Sequence, residues 1–403
     1  MKNRYDSYPY PERNPADETK RLLAGSPSNL TEVDHYIFGG MRDWSLPFRA
    51  LVAGGGTGDA FIMLAQQLTD ANVPHEVIYL DQSDESRKIA EKRAQKRGLD
   101  NVKYITADLL EVSNVGTFDY IDCCGVLHHL SDPLKGAAKL RSLLKDDGGF
   151  GGMVYAPLGR TGVYPLQSAF QTLFKNLTYE EQVKKAKETL QTLPKTNWIN
   201  KNPFVGDHRV SDAGFFDLLL HTVDRPYFAD ELIMLLNDAG FELVSFIAPI
   251  LYEPENYLPD DPKIRRIASK LNKAQKARLA EELIGSLKTH VFYAKPKGAS
   301  FRHPTLGDDL VLHMDGSDTS LIAHHITAQK PLTITLDEQR FTRVFDKQTA
   351  RVVKSINGRQ TIREILKAIG WKRLKPTVER DLEFLVSTSQ IMLSSLKKQS
   401  NTM

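Results

Sequence analysis

The chain has 403 residues, of which 41% are hydrophobic and 26% charged, long enough for two or three domains and too rich in core-forming residues for a disordered polymer. No apolar run approaches the ~20 residues of a membrane helix, and nothing apolar follows Met1-Lys2-Asn3-Arg4-Tyr5, so neither a membrane span nor a secretory signal is expected. A net charge of +3 is too small for a whole-chain nucleic-acid binder, and two adjacent cysteines, Cys123 and Cys124, exclude a disulfide framework or a cysteine zinc knuckle and favour a reducing, cytoplasmic setting.

Residues 1–45 read as a polar, Pro-rich arm carrying Tyr5, Tyr8 and Tyr10, with short helices from about 17 and over 30–38. Residues 48–53 form an apolar strand that runs into the turn Gly54-Gly55-Gly56-Thr57-Gly58-Asp59. Phe61, Leu64, Ala65 and Leu68 then fall at i, i+3, i+4 and i+7, one buried helix face. Strands follow at 76–80, 102–106, 118–124 and 150–155. The helix between the first two is capped by Ser83 and stopped by Gly98. The last one starts at Asp132-Pro133 and runs to Gly148-Gly149. Two more strands fit 241–248 and 287–295, the first preceded by a helix over 229–238. Strands alternating with helices specify a parallel sheet covered on both faces, an α/β fold. The long segments 157–228 and 249–286, the latter with a charged helix over 264–284, read as cap insertions over the carboxyl edge of the sheet, where ligands bind in open α/β folds.

Past residue 300 the pattern changes. Residues 301–403 hold 16 Lys/Arg against 11 Asp/Glu, a surplus of +5 over a remainder at −2. Short strands at 310–313 and 332–335 precede helices over 337–356, 361–369 and 376–389 and a strand at 391–394. Thr361 and Glu364 form a capping box. Lys367, Lys372, Arg373, Lys375 and Arg380 cluster near one turn and suit phosphate or an acidic peptide, or form a solvated face. No aromatic interleaving suggests base stacking, so nucleic acid is not the favoured partner.

The glycine turn is a nucleotide-type cradle, because glycine lets the backbone approach a ligand and the helix behind it offers free N–H groups. Gly54, Gly56 and Gly58 depart from the dinucleotide pattern G-x-G-x-x-G, and the next position is Asp59. A carboxylate there repels pyrophosphate and suits an ammonium group, favouring S-adenosylmethionine over NAD. Asp81, ending the second strand, suits paired ribose hydroxyls. Asp108, after the third strand, suits an adenine amino group, or caps a turn. Asp122-Cys123-Cys124-Gly125 ends the fourth strand, and Cys124 and Gly125 are expected beside the sulfonium.

On the residues V-A-G-G-G-T-G-D (52–59), Y-L-D (79–81), A-D-L (107–109) and D-Y-I-D-C-C-G-V-L-H-H-L-S-D-P (119–133), the chain resembles the class I S-adenosylmethionine-dependent methyltransferases. The resemblance implies a Rossmann-like, seven-stranded, mostly parallel sheet with its last strand antiparallel, and S-adenosylmethionine as cofactor. It leaves the acceptor open between a small molecule and a peptide or protein. The domains read as an arm over 1–45, a methyltransferase domain over 46–297 and, over 300–403, a unit resembling a winged helix. A non-catalytic, cofactor-binding regulator is the alternative. His128 is the expected general base, or else one residue of His128-His129 lines the pocket and the other packs. The adjacent pair reads as poor joint metal ligands, and no metal is expected. Asp217 and His221, at i and i+4 on one helix, and Tyr227 are the other catalytic candidates, or else the set is a salt-bridged helix end. Tyr10, Tyr164 and Arg225 are expected to contact the acceptor, Arg225 as a carboxylate clamp.

Overall fold

The computed structural model describes residues 4–314 and 316–398. The start of the arm at 1–3, where the sequence reading turns on the lack of a signal, lies outside the described residues, as does the side chain of Tyr5.

Seven strands form the central sheet: β1 (Phe48–Ala53), β2 (His75–Asp81), β3 (Val102–Thr106), β4 (Phe118–Cys124), β5 (Leu144–Tyr155), β6 (Phe241–Ile247) and β7 (Thr289–Pro296). Their order is β3-β2-β1-β4-β5-β7-β6. The pairs from β3 to β5 are parallel, and β7 runs antiparallel to both β5 and β6. Alternate residues of β1 serve two cores. Phe48, Ala50 and Val52 pack with Phe61, Leu64 and Ala90 from the helices Asp59–Asp70 and Asp84–Arg97. Leu51 and Ala53 face Leu140 and Leu232 from the helices Pro133–Leu143 and Ala229–Asp238. Burial on both faces is what makes these strands apolar throughout. Sheet order reverses between β1 and β4, opening a crevice at their carboxyl ends.

The helix after Asp132 is shorter than the glycine stop implies. It ends at Leu143, and β5 begins at once, slipping register between Phe118–Leu144 and Tyr120–Gly149. The charged helix of the second insertion is two helices, Pro262–Ala268 and Lys273–Ile284, because Asn272 starts the second with a capping box. The first insertion folds into helices including Val163–Phe174, Tyr179–Thr192 and Asp212–Leu219, with a core of its own around Phe170, Phe215 and Leu218. No described helix is long and apolar enough to cross a membrane.

The C-terminal unit has a separate core around Leu312, Val353, Ile365, Val378 and Leu382. Its expected first helix over 337–356 is instead a hairpin followed by a short helix. β9 (Leu332–Leu336) pairs with β10 (Gln339–Arg343), and only Thr349–Ser355 is helical, while β8 (Val311–His313) pairs with β11 (Met392–Ser394). A helix at Thr319–Thr327 was not anticipated from the sequence.

The N-terminal segment is wedged between these parts. The Ser28 hydroxyl donates to Asp122 Oδ2 at 2.6 Å, and the amide of Cys124 donates to Asp122 Oδ1 at 3.2 Å. Two donors do not offset full burial, which pushes the Asp122 carboxyl up to about 6. The folded chain therefore holds a proton there that the unfolded chain releases near pH 4, so this group lowers stability as pH rises from about 4 to 6. Asp122→Asn should remove that decline. Chemical denaturation at pH 4.5 and pH 7 checks it: between those pH values the wild type should lose up to about 2 kcal/mol more stability than the variant; equal losses would contradict it.

Candidate active site

A cavity of about 490 Å³ lies at the β1/β4 crevice. Its floor is the glycine turn. Gly54 and Gly56 have positive φ (+77° and +50°), the left-handed region that glycine adopts without strain. A Cβ on Gly56 would stand 2.7 Å from the Tyr10 carbonyl oxygen, and one on Gly54 would overlap Val126. Both glycines line the cavity, as do Asp59, Asp81, Asp108, Cys124 and Gly125. Gly58 does not. Its place is structural, since a Cβ there would meet Ala90 at 2.9 Å where two helices pass.

Each acidic residue is held by its neighbours. Asp81 accepts the Gly56 amide through Oδ2 and the Ser83 amide through Oδ1, both at 2.8 Å, which fixes the turn against the end of β2. Burial raises its pKa despite those bonds. Exposed Asp108 accepts the Leu110 amide at 2.8 Å and presents its edge to the cavity. Asp59 is not a free partner for an ammonium group. Arg13 donates to both its oxygens, at 2.9 and 2.6 Å, and Arg93 donates to Oδ1 at 2.7 Å. Burial opposes ionisation of Asp59, but these two guanidiniums win and hold its pKa below the ordinary value.

The arm thereby crosses the cradle. The Thr57 hydroxyl donates to Pro11 O at 2.6 Å, and Tyr10 lines the cavity, its phenol raised by burial. Tyr8 stacks on Phe216 of the first insertion, ring centroids 5.2 Å apart. That insertion also supplies Phe204, Val205, Asp207 and Asp217 to the lining. No lining residue comes from 249–286, so the second insertion flanks the sheet without capping the site.

The remaining polar residues are arranged differently from the sequence reading. His128 is fully buried behind the cavity, and neither ring nitrogen has a hydrogen-bond partner. His129 faces the cavity in its place. The cause is local: 127–129 form a 3₁₀ turn, in which successive side chains diverge by ~120°. His129 Nδ1–H donates to Val223 O at 2.9 Å, and Nε2 stands 3.9 Å from Asp217 Oδ1. The Tyr155 hydroxyl donates to Asp217 Oδ2 at 3.1 Å. His221 falls beyond the helix, which ends at Leu219, so it and Asp217 do not share one helix face. The His221 ring stacks on His129 at 3.7 Å, outside the lining.

Tyr227 is also outside the lining. Its ring is buried and its amide donates to Tyr155 O at 2.8 Å. The Arg225 side chain is 62% exposed, 4.0 Å from Glu231, and cannot clamp a ligand in the cavity. Arg160 occupies that position. Its guanidinium lies 3.5 Å from the Tyr155 ring centroid, and its Nε donates to the Tyr164 hydroxyl at 3.0 Å. Tyr164 thus braces Arg160 and does not line the cavity. Tyr155 and Arg160 were legible in principle. Tyr155 is the last residue of β5 at the carboxyl edge, and Arg160 lies in the loop that follows.

Residues 51–150 match the family of methyltransferase domains. Across 97% of its length the chain is similar in fold to PKMT2 from Rickettsia typhi, with a TM-score of 0.59, 16% identity and 77% of that chain covered. A second structure of PKMT2, in complex with AdoHcy, gives a TM-score of 0.58 at 15% identity, covering 97% of this chain and 76% of that one. An uncharacterized protein of Synechococcus sp. is 27% identical over 323 residues, 77% of this chain and 74% of its own. A cradle whose glycines have no room for a side chain, flanked by acids at the ends of β2 and β3, fits an adenosyl amino acid. The chain carries a methyltransferase domain and is an S-adenosylmethionine-dependent methyltransferase.

Proposed function

We propose that Gly54 and Gly56 hold the methionine part of S-adenosylmethionine, Asp81 its ribose and Asp108 its adenine, while Asp59, engaged by Arg13 and Arg93, braces the turn. Cys124 and Gly125 border the sulfonium, and an amine or hydroxyl acceptor enters between Tyr10, Tyr155, Asp217 and His129. The observation that carries this reading is His129: it lines the same cavity as the glycine turn, with Nδ1 bound to a carbonyl and Nε2 turned toward a carboxylate. When bound, the cofactor supplies an activated methyl group. The protein's part is alignment and exclusion of water, for which Phe204 and Val205 of the first insertion stand over the cavity. His129 Nε2 accepts the acceptor's proton, Asp217 stabilises the resulting imidazolium, and the Tyr155 hydroxyl orients Asp217.

We read the C-terminal unit as the contact for a peptide or protein acceptor. Its winged-helix likeness rests on three helices, Thr349–Ser355, Ile362–Ala368 and Pro376–Ser387, beside the β9–β10 hairpin. A surface groove of about 610 Å³ on this unit is bordered by Arg363, Lys367, Lys372 and Arg373 and also by Asp308, Asp309 and Glu379, so its basic residues suit an acidic group within a segment of mixed charge. The free thiols of Cys123 and Cys124 support a reducing, cytoplasmic setting.

Three outcomes test these assignments. Asp81→Ala should weaken S-adenosylmethionine binding at least ~10-fold by calorimetry, and unchanged affinity would refute the cradle assignment. His129→Ala should lower kcat by ~10²–10⁴-fold with cofactor affinity kept. The double variant Lys372→Glu, Arg373→Glu should raise KM for a macromolecular acceptor without altering cofactor affinity; an unchanged KM would exclude the groove.

A further inference from the structure

We propose that His128, His129 and Asp224 form a binding site for a borderline divalent transition metal such as Zn²⁺, set directly behind the cofactor cavity. One nitrogen from each histidine and one carboxylate oxygen of Asp224 lie within 4.8 Å of one another. Although the 3₁₀ turn starts the two side chains in different directions, their imidazoles end in contact, centroids 4.1 Å apart at 62°. Adjacency in sequence therefore does not separate these donors.

The strongest sign is polar groups left without a partner where water does not reach. His128 has no exposed surface, and both Nδ1 and Nε2 lack a hydrogen bond. The Asp224 side chain is fully buried, and Oδ1 has no partner. A buried polar group without a partner is costly, and two such residues side by side need a common explanation. A coordinated metal satisfies a nitrogen of His128 and Asp224 Oδ1 together.

The surroundings resemble the outer shell of a metal centre. Asp224 Oδ2 accepts Gln167 Nε2 at 2.8 Å and stands 3.4 Å from Arg160 Nη2, leaving Oδ1 as the available oxygen. Val223 O orients His129 through its Nδ1, and the Arg225 amide donates to His128 O at 3.0 Å, tying the two donor segments together. Two nitrogens and one oxygen suit zinc or cobalt and not magnesium or calcium, which take oxygen ligands. The Arg160 charge opposes a second cation and sets a modest affinity. The proposal draws on His129 Nε2, the same lone pair that the functional reading above uses as a base, so an occupied metal site excludes that role; the metal is tested by a spectrum and the base by turnover of the metal-free chain, so the two can fail separately.

The test is Co²⁺ titration of the full chain after chelator treatment, followed by ligand-field absorption. One saturable equivalent with visible bands, displaced by Zn²⁺, is expected. His128→Ala and Asp224→Asn should each weaken Co²⁺ binding by more than the ~10- to 100-fold that loss of an outer-shell partner costs. His325→Ala, in the C-terminal unit, should change nothing. Absence of a saturable equivalent in the wild-type chain, or binding unchanged in Asp224→Asn, would overturn the proposal.

Discussion

Arg93 is a long cation with 1% of its surface exposed, and a charge so placed must be paired or the local structure fails. Its partners come from two distant parts of the chain, the arm and the turn that opens the helix Asp59–Asp70. Nε donates to Glu18 of the arm at 2.7 Å, and Nη1 donates both to Thr57 O in the glycine turn at 2.9 Å and to Asp59 at 2.7 Å. Glu18 also takes Arg97, and Asp59 also takes Arg13. Arg93 and its two acids thus tie together four elements: the arm, the turn, the helix Asp59–Asp70 and the helix Asp84–Arg97. Folding the helices onto the sheet buries Arg93, and burying Arg93 requires the arm. The cradle is therefore finished by a segment that the sheet topology alone does not call for.

This explains what the sequence made legible. Hydrophobic period and glycine placement are local signals, and they locate β1 to β4, the turn and the acids at the ends of β2 and β3. The partners of Asp59 are not local: Arg13 lies 46 residues before it and Arg93 34 residues after. A carboxylate read from the motif alone looks available, while in the fold it is shared between two guanidiniums. The histidine pair shows a different limit. Whether 127–129 form a 3₁₀ turn, an α-turn or a strand end decides which imidazole faces the cavity. No residue type in Leu127-His128-His129 decides that by itself.

The C-terminal hairpin was hidden for a conformational reason. Asp337 and Glu338 both have positive φ, at 43° and 66°, and form the two-residue turn between β9 and β10. Such turns normally announce themselves with Asn or Gly. Here neither is present, and Phe341, Val344 and Phe345 are spaced as suitably for a helix face as for a strand and its exit. Tertiary contact settles the choice, since Ile334 and Phe345 both pack on the unit's own core.

The segment before β1 gives the molecule its unity. Near one end Arg13 is fixed to Asp59 at the cradle. Near the other, Asp34 accepts the Ser394 hydroxyl at 2.5 Å and the Ser395 amide at 2.9 Å, while His35 Nδ1 accepts the Leu393 amide at 3.0 Å. Asp34 and His35 are buried, so these bonds do not compete with water. A short stretch of chain anchored at both ends by ionic or buried polar contacts is a strut, with one foot on the glycine turn and the other on β11. Removing the C-terminal unit would take the Ser394 hydroxyl and Ser395 amide from Asp34, leaving it the Arg42 amide, and would strip Met392 and Leu396 from the core around helix Leu30–Ile37. Truncation therefore tests stability and acceptor binding at once, whereas charge reversal at Lys372 and Arg373 changes the basic groove and leaves the strut in place.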